Sequence, residues 1–126
     1  MFQTHRIFHF GSISLIRNPA RKATEYAVEL AKQNGLIISY DPNLRLSLWE
    51  NAMQARTRII SMLDKTDVLK ISEEELEFIT EKKGISEGLL ALNSYQIPII
   101  FVTLGAKGSI VYMNNQIAQI PVMNVE

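Results

Sequence analysis

An α/β fold built on a mainly parallel sheet is predicted by three features of the sequence. Short apolar runs alternate with longer amphipathic stretches, as in chains of repeated βαβ units. Two of the runs, 36–40 and 98–104, are apolar at successive positions, the pattern of strands covered by helices on both faces. The unusual polar residues gather just after the runs, where ligands bind in such sheets. These are Gly11-Ser12, Asp41-Pro42-Asn43, Ser72, and Thr103 to Gly108.

The elements follow in order. Ile7-Phe8-His9-Phe10 reads as a strand ended by Gly11. Asn18 then reads as an N-cap with Pro19 at the first helical position, where a missing N–H costs nothing. Ala20, Ala23, Ala27, Leu30 and Ala31 recur at helical spacing and predict the buried stripe, and Gly35 supplies a left-handed stop. Leu36 to Tyr40 is a strand closed by Asp41-Pro42-Asn43. A second helix is predicted from about Ser47 to Leu63, with Trp49, Met53, Ile60 and Leu63 on one face. Val68 to Ile71 is a third strand, and Ser72–Thr80 and Glu87–Tyr95 are shorter helices separated by Gly84. Pro98 to Leu104 is the most apolar strand. Ser109–Met113 and Gln116–Val122 alternate around Asn114-Asn115, a hairpin with a two-residue turn.

Composition narrows the function. The 126 residues carry 13 Lys+Arg against 13 Asp+Glu, so no charge excess argues for nucleic acid or an anionic membrane. With no cysteine, disulfides, thiol catalysis and cysteine-ligated zinc are excluded. Two uncharged stretches, Gly88–Ala106 and Gly108–Val125, are interrupted by Asn, Gln and Pro and are not read as membrane spans. The amino terminus lacks a small-residue cleavage site, so the expectation is a cytoplasmic protein.

Three motifs could carry chemistry. In DPNLR, Asp41, Asn43 and Arg45 combine a carboxylate, a carboxamide and a guanidinium suited to hydroxyls and a phosphoryl group. The same residues also make an ordinary chain reversal in which Arg45 pairs with Asp41. In KISEEEL, Ser72 and Glu75 have the spacing of a capping box, while Glu75 alone would suffice beside a hydrated magnesium ion. In TLGAKG, a strand runs into a Gly-x-x-Gly turn whose backbone N–H groups could approach an anion beside Lys107. It is neither a P-loop nor a dinucleotide fingerprint, and by itself such a pattern is more often just a turn. His5 and His9 lack a carboxylate pair and are read as surface or core residues, not as a zinc site. No serine sits in a nucleophile elbow.

Taken together, IFHFGSISL, AKQNGLIISYDPNLRLSLW, TDVLKISEEELEFIT and VTLGAKGSIVY resemble, in order and spacing, the fructokinases among the ribokinase-like (phosphofructokinase B family) carbohydrate kinases. The resemblance implies part of a three-layer ribokinase-like sandwich, with ATP and Mg2+ as cofactors and a sugar as substrate. It places Thr103, Gly105, Lys107 and Gly108 along the ATP phosphates and ribose. Ser72 falls at the Asn of the family's Asn-x-x-Glu motif, and Glu75 organises magnesium and its waters. Asp41, Asn43 and Arg45 face the sugar and the transferred phosphoryl group, with Lys70 beside them in an electrostatic role.

The family's base, the Asp of a Gly-Ala-Gly-Asp motif, has no counterpart in the 126 residues, and neither does the glycine-rich sugar-binding segment. In family members that motif follows shortly after the segment that Met123-Asn124-Val125-Glu126 resembles, so the resemblance implies a base beyond Glu126 and no catalytic residue before it. The expectation is therefore one partial domain, residues 1–126, from the centre of a kinase cut at both ends. The parent kinase would convert fructose to fructose 6-phosphate, and the isolated chain would be inert. The alternative is a non-catalytic nucleotide-binding or subunit-interaction module derived from a sugar kinase. A third reading is an unrelated α/β enzyme with convergent loops. A sheet with open edges or one uncovered face is expected, and with it self-association into a homo-oligomer.

Overall fold

The computed structural model describes residues 6–120. The expectations placed on His5, on Pro121-Val122 and on Met123-Asn124-Val125-Glu126 fall outside them. A base expected beyond Glu126 is therefore outside the described residues as well. Six strands form one sheet in chain order: β1 (Ile7–Phe10), β2 (Ile37–Tyr40), β3 (Val68–Ser72), β4 (Ile99–Thr103), β5 (Ser109–Met113) and β6 (Gln116–Ile120). The first four are parallel, and β5 and β6 add as an antiparallel hairpin. Asn114 and Asn115 both take positive φ (54° and 63°), the backbone that a two-residue turn of matching twist requires. Four helices connect the parallel strands: α1 (Ala20–Gln33), α2 (Ala52–Ile60), α3 (Glu73–Thr80) and α4 (Ile85–Leu92).

Each parallel strand lies beside its predecessor, and crossovers of constant hand then deliver every connecting helix to the same face. Burial alternates accordingly. Ile38, Tyr40, Leu69, Ile71, Ile100 and Val102 are buried beneath the helices together with Val28, Ile59, Leu76 and Leu89. The intervening residues Ile37, Ser39, Val68, Phe101 and Thr103 are half-buried, and Lys70 is exposed. The apolar character of strands 36–40 and 98–104 predicts cover on both faces. Among the described residues, only one face has it.

Three helices differ from expectation. The one predicted over Glu87–Tyr95 starts earlier, at Ile85, and ends at Leu92, with Asn93–Tyr95 forming a separate single turn. The long helix predicted from about Ser47 is shorter, because Asn51 caps it: its side-chain Oδ1 accepts a hydrogen bond from the Gln54 N–H at 2.7 Å. Residues Leu46–Leu48 make a separate single turn, and Trp49 is extended, which sends its ring into the core. The buried face of α2 is Ala55 and Ile59, while Met53 is 73% exposed; Leu63 is buried from a short turn beyond the helix. In α1 the buried positions are Val28 and Ala31, with Ala20, Ala23 and Leu30 outside that stripe. That helix also starts one residue later than predicted, at Ala20. Asn18 still accepts from the Lys22 N–H at 3.3 Å, but Pro19 holds the cap position. A count of apolar residues favours the alanines, whereas contact with β2 selects the rotation that buries the larger Val28. Gly35 closes α1 at φ 72°, as predicted.

Helices α3 and α4 pack so closely that a Cβ on Gly88 would lie 2.8 Å from Leu76 Cγ, a branch atom of a fully buried side chain that has no room to swing away. Substituting Gly88→Ala is therefore expected to destabilise the chain by about 1 kcal/mol, overpacking outweighing the gain of about 1 kcal/mol in helix propensity. Urea unfolding checks the sign. The half-exposed sheet face, with the edge strands β1 and β6, also predicts self-association of the isolated chain. Sedimentation as a single monomeric species up to high micromolar concentration would contradict that.

Candidate active site

Because β2, β3 and β4 run parallel and adjacent, their carboxyl ends bring three turns together. A cleft of about 310 Å³ there is lined by Asp41 and Asn43 from the first turn, Lys70 and Ser72 from the end of β3, Glu75 from the start of α3, and Thr103 from the end of β4. Asp41 and Asn43 also line a neighbouring cleft of about 570 Å³ with His9, Gly11, Ser12 and Ser14. Sequence reasoning placed Gly11-Ser12 at a ligand-binding strand end but missed His9 and Ser14. Alternation along β1 puts His9 on the face of Ser39, whose Oγ lies 3.0 Å from His9 Nδ1, but the β1–β2 register that makes them neighbours is a tertiary fact.

The turn after β2 is held from both sides. The buried Ser12 donates both its backbone N–H (3.1 Å) and its hydroxyl (2.5 Å) to the Pro42 carbonyl. From the other side, the Leu44 N–H donates to Glu75 Oε2 at 2.7 Å. Between them Asn43 takes φ 45°, a left-handed conformation that Asn tolerates better than most residues. A Cβ on Gly11 would sit 3.0 Å from the Asp41 carbonyl oxygen, so any side chain there would press the turn outward by a few tenths of an ångström.

The second turn is a full capping box. Ser72 Oγ accepts from the Glu75 N–H at 3.1 Å, and Glu75 Oε1 accepts from the Ser72 N–H at 2.8 Å. Both Glu75 oxygens therefore already accept one backbone N–H each, which leaves lone pairs for further donors. In the third turn, Gly105 (φ 63°) and Gly108 (φ 99°) supply the left-handed backbone. The Lys107 and Gly108 N–H groups are spent inside that turn, on the carbonyls of Leu104 and Gly105. Fewer of its amides point outward than a Gly-x-x-Gly cradle suggested.

Of the residues singled out from sequence, the cleft collects Asp41, Asn43, Ser72, Glu75, Thr103 and Lys70, and does not collect Arg45, Gly105, Lys107 or Gly108. Arg45 is exposed and, among the described residues, makes no ion pair with Asp41. Among the described residues, no group of three or more His, Asp or Glu side chains is placed to hold a metal ion. The donor set is instead two carboxylates, a carboxamide and hydroxyls. Hard oxygen donors with few carboxylates fit a magnesium ion that keeps most of its water.

With that geometry in hand, comparison with known proteins decides the family. Residues 1–125 match the family described as pfkB family carbohydrate kinase. The chain belongs to that family. Family members are sugar kinases, a class of transferase. The chain is 45% identical over 109 residues to fructokinase-2 of Solanum lycopersicum, covering 86% of this chain and 33% of that protein. It is 40% identical over 121 residues to fructokinase-1 of Oryza sativa subsp. japonica, covering 95% and 38%. A crystal structure of the Vibrio cholerae O395 fructokinase bound to fructose, ADP and calcium superposes with a TM-score of 0.91 at 37% identity. That match covers all of this chain and 41% of that one. An aminoimidazole riboside kinase from Salmonella enterica shares the fold alone, with a TM-score of 0.87 at 22% identity over 98% of this chain and 42% of that one. The pfkB chain described here thus spans less than half the length of these relatives. Among its described residues no helix is long and apolar enough to cross a membrane.

Beneath the cleft, Tyr40 is fully buried and stacked on Phe10, with ring centroids 4.3 Å apart. Its hydroxyl has no hydrogen-bond partner among the described residues. Burial drives its pKa far above the ordinary tyrosine value, and the negative charge of Glu75 pushes it further the same way. The unfolded chain's Tyr40 ionises near pH 10 while the folded one stays neutral, so its stability contribution, complete below pH 10, is lost as pH rises. Tyr40→Phe should leave stability within about 1 kcal/mol of the parent at pH 7. Above pH 10 the variant should gain on the parent by about 1.4 kcal/mol per pH unit. Paired denaturant melts from pH 7 to 11 read the difference.

Proposed function

We propose that residues 1–126 supply the central part of a kinase domain that transfers the γ-phosphoryl group of ATP to fructose, giving fructose 6-phosphate. One observation carries the reading: turns from three adjacent parallel strands converge on a single oxygen-lined cleft, in a chain whose relatives are named fructokinases. In this reading Asp41 and Asn43 face the sugar hydroxyls and the phosphoryl group. The clamps on Pro42 and Leu44 hold those side chains in place, so little reorganisation is needed as the sugar binds.

Arg45 stands on the outer flank of the same turn, where its planar fork suits a phosphoryl oxygen. Thr103 lines the nucleotide side, and Gly105, Lys107 and Gly108 continue it beyond the cleft, Lys107 as a mobile point charge. Asp41, Ser72 and Glu75 would hold a hydrated magnesium ion. Bound there, magnesium would neutralise charge on the phosphate oxygens. Lys70 adds positive potential at the cleft mouth. The proton leaving the sugar hydroxyl needs a base, and the family's Gly-Ala-Gly-Asp motif is not among the residues from Met1 to Glu126. The 126-residue chain alone is therefore expected to form no ADP with fructose.

A segment swap tests the reading. Residues 6–120 replace the matching segment of the Vibrio cholerae fructokinase, and fructose-dependent ADP formation is measured. Activity in the chimera is the expected result, and Asp41→Asn within it should lower kcat/KM by about 10²-fold, as for loss of the group that orients a reacting hydroxyl. A folded chimera that binds ATP without turnover would instead favour the non-catalytic module.

A further inference from the structure

The Glu75 carboxylate joins two turns that the chain keeps about thirty residues apart. One oxygen accepts from the Ser72 N–H at its own helix start (2.8 Å), and the other accepts from the Leu44 N–H in the turn after β2 (2.7 Å). The capping box alone would explain the first bond. It does not explain the second, in which a charged acceptor binds the backbone of a different loop, next to Asn43. The opposite side of that loop is fixed by Ser12 on the Pro42 carbonyl. Leu44 lies in irregular backbone, outside any strand or helix, and its N–H has no other partner among the described hydrogen bonds.

We infer that Glu75 is a positioning residue that locks the 41–45 turn to the start of α3, so that the sugar-facing and phosphate-facing sides of the cleft move as one body. Describing 41–45 as sugar-facing rests on the proposed function; the lock itself does not. Removing the lock frees Asn43 and Asp41 relative to Ser72 even with no magnesium present. This differs from a role confined to magnesium, which predicts that the turn is indifferent to Glu75 until metal binds.

The chemistry singles out a discriminating variant. Glutamine is an accepted partner in a capping box, so Glu75→Gln keeps its oxygen on the Ser72 N–H. Its amide NH2 then faces the Leu44 N–H, donor against donor, and only the bridge is lost. Amide hydrogen exchange by NMR on the 126-residue chain, in metal-free buffer with chelator, reads this residue by residue. In the unmodified chain the Leu44 amide should be protected despite its irregular backbone; an unprotected Leu44 overturns the inference without any variant. In Glu75→Gln, Leu44 exchange should rise at least about tenfold while Ile100 and Val102 in the core stay unchanged.

Ser72→Ala, which weakens the cap but not the bridge, should leave Leu44 protected; an equal loss of protection there overturns the inference. In the active chimera, Glu75→Gln should raise KM for fructose, and saturating magnesium should not restore it. Full recovery at high magnesium would mean that Glu75 acts on the metal alone. The exchange experiment uses neither nucleotide nor sugar, so its failure leaves the kinase reading standing, and an inactive chimera leaves the lock standing.

Discussion

Parallel pairing of β1 to β4 in chain order is the constraint from which the rest of this structure follows. Parallel neighbours point the same way, so every strand delivers its following turn to one rim of the sheet. Asp41, Ser72 and Thr103 are far apart in the chain and become neighbours only through that pairing, with Ser72 directly opposite Thr103 in the β3–β4 register. The same order sends the helices to one face. It leaves the other face, with Lys70 and His9 on it, half-exposed among the described residues.

The rim itself depends on satisfying backbone groups that the strand ladder no longer reaches. A turn leaving a strand end presents N–H and C=O groups that lose free energy if left unpaired away from water. Here a buried serine and a half-buried glutamate meet that need for the 41–45 turn, and the glutamate does so for the start of α3 as well. Side chains that look like candidates for ligand chemistry are thus part of the scaffold that positions their neighbours. Tyr40 shows the opposite case below the rim: a hydroxyl buried for the sake of its ring, stacked on Phe10 with no polar partner among the described residues.

How much is legible in the sequence varies with the range of the signal. Asn114-Asn115, Gly35 and the Ser72–Glu75 box match their expected roles because turn and cap geometry is decided within four or five residues. The start of α2 differs although its cap, Asn51, is a strong local signal, because the apolar residues at 46–49 continue a helical pattern that tertiary packing breaks at Trp49. The buried stripe of α1 differs because alanines fit either side of a helix, and only the neighbouring strand selects the side.

By itself the sequence determined the alternation of strands and helices, the turn chemistry at each strand end and, through four blocks in order, the carbohydrate-kinase family. Those are properties of local conformational preference and of residue identity. Tertiary structure alone decided that Asp41, Asn43, Ser72, Glu75 and Thr103 share a cleft, that Arg45 and Lys107 stand outside it, and that His9 and Ser12 border the Asp41–Asn43 side. Strand order and register are long-range choices, settled by which apolar faces can be buried together, and no spacing along the chain encodes the 2.7 Å contact between Leu44 and Glu75.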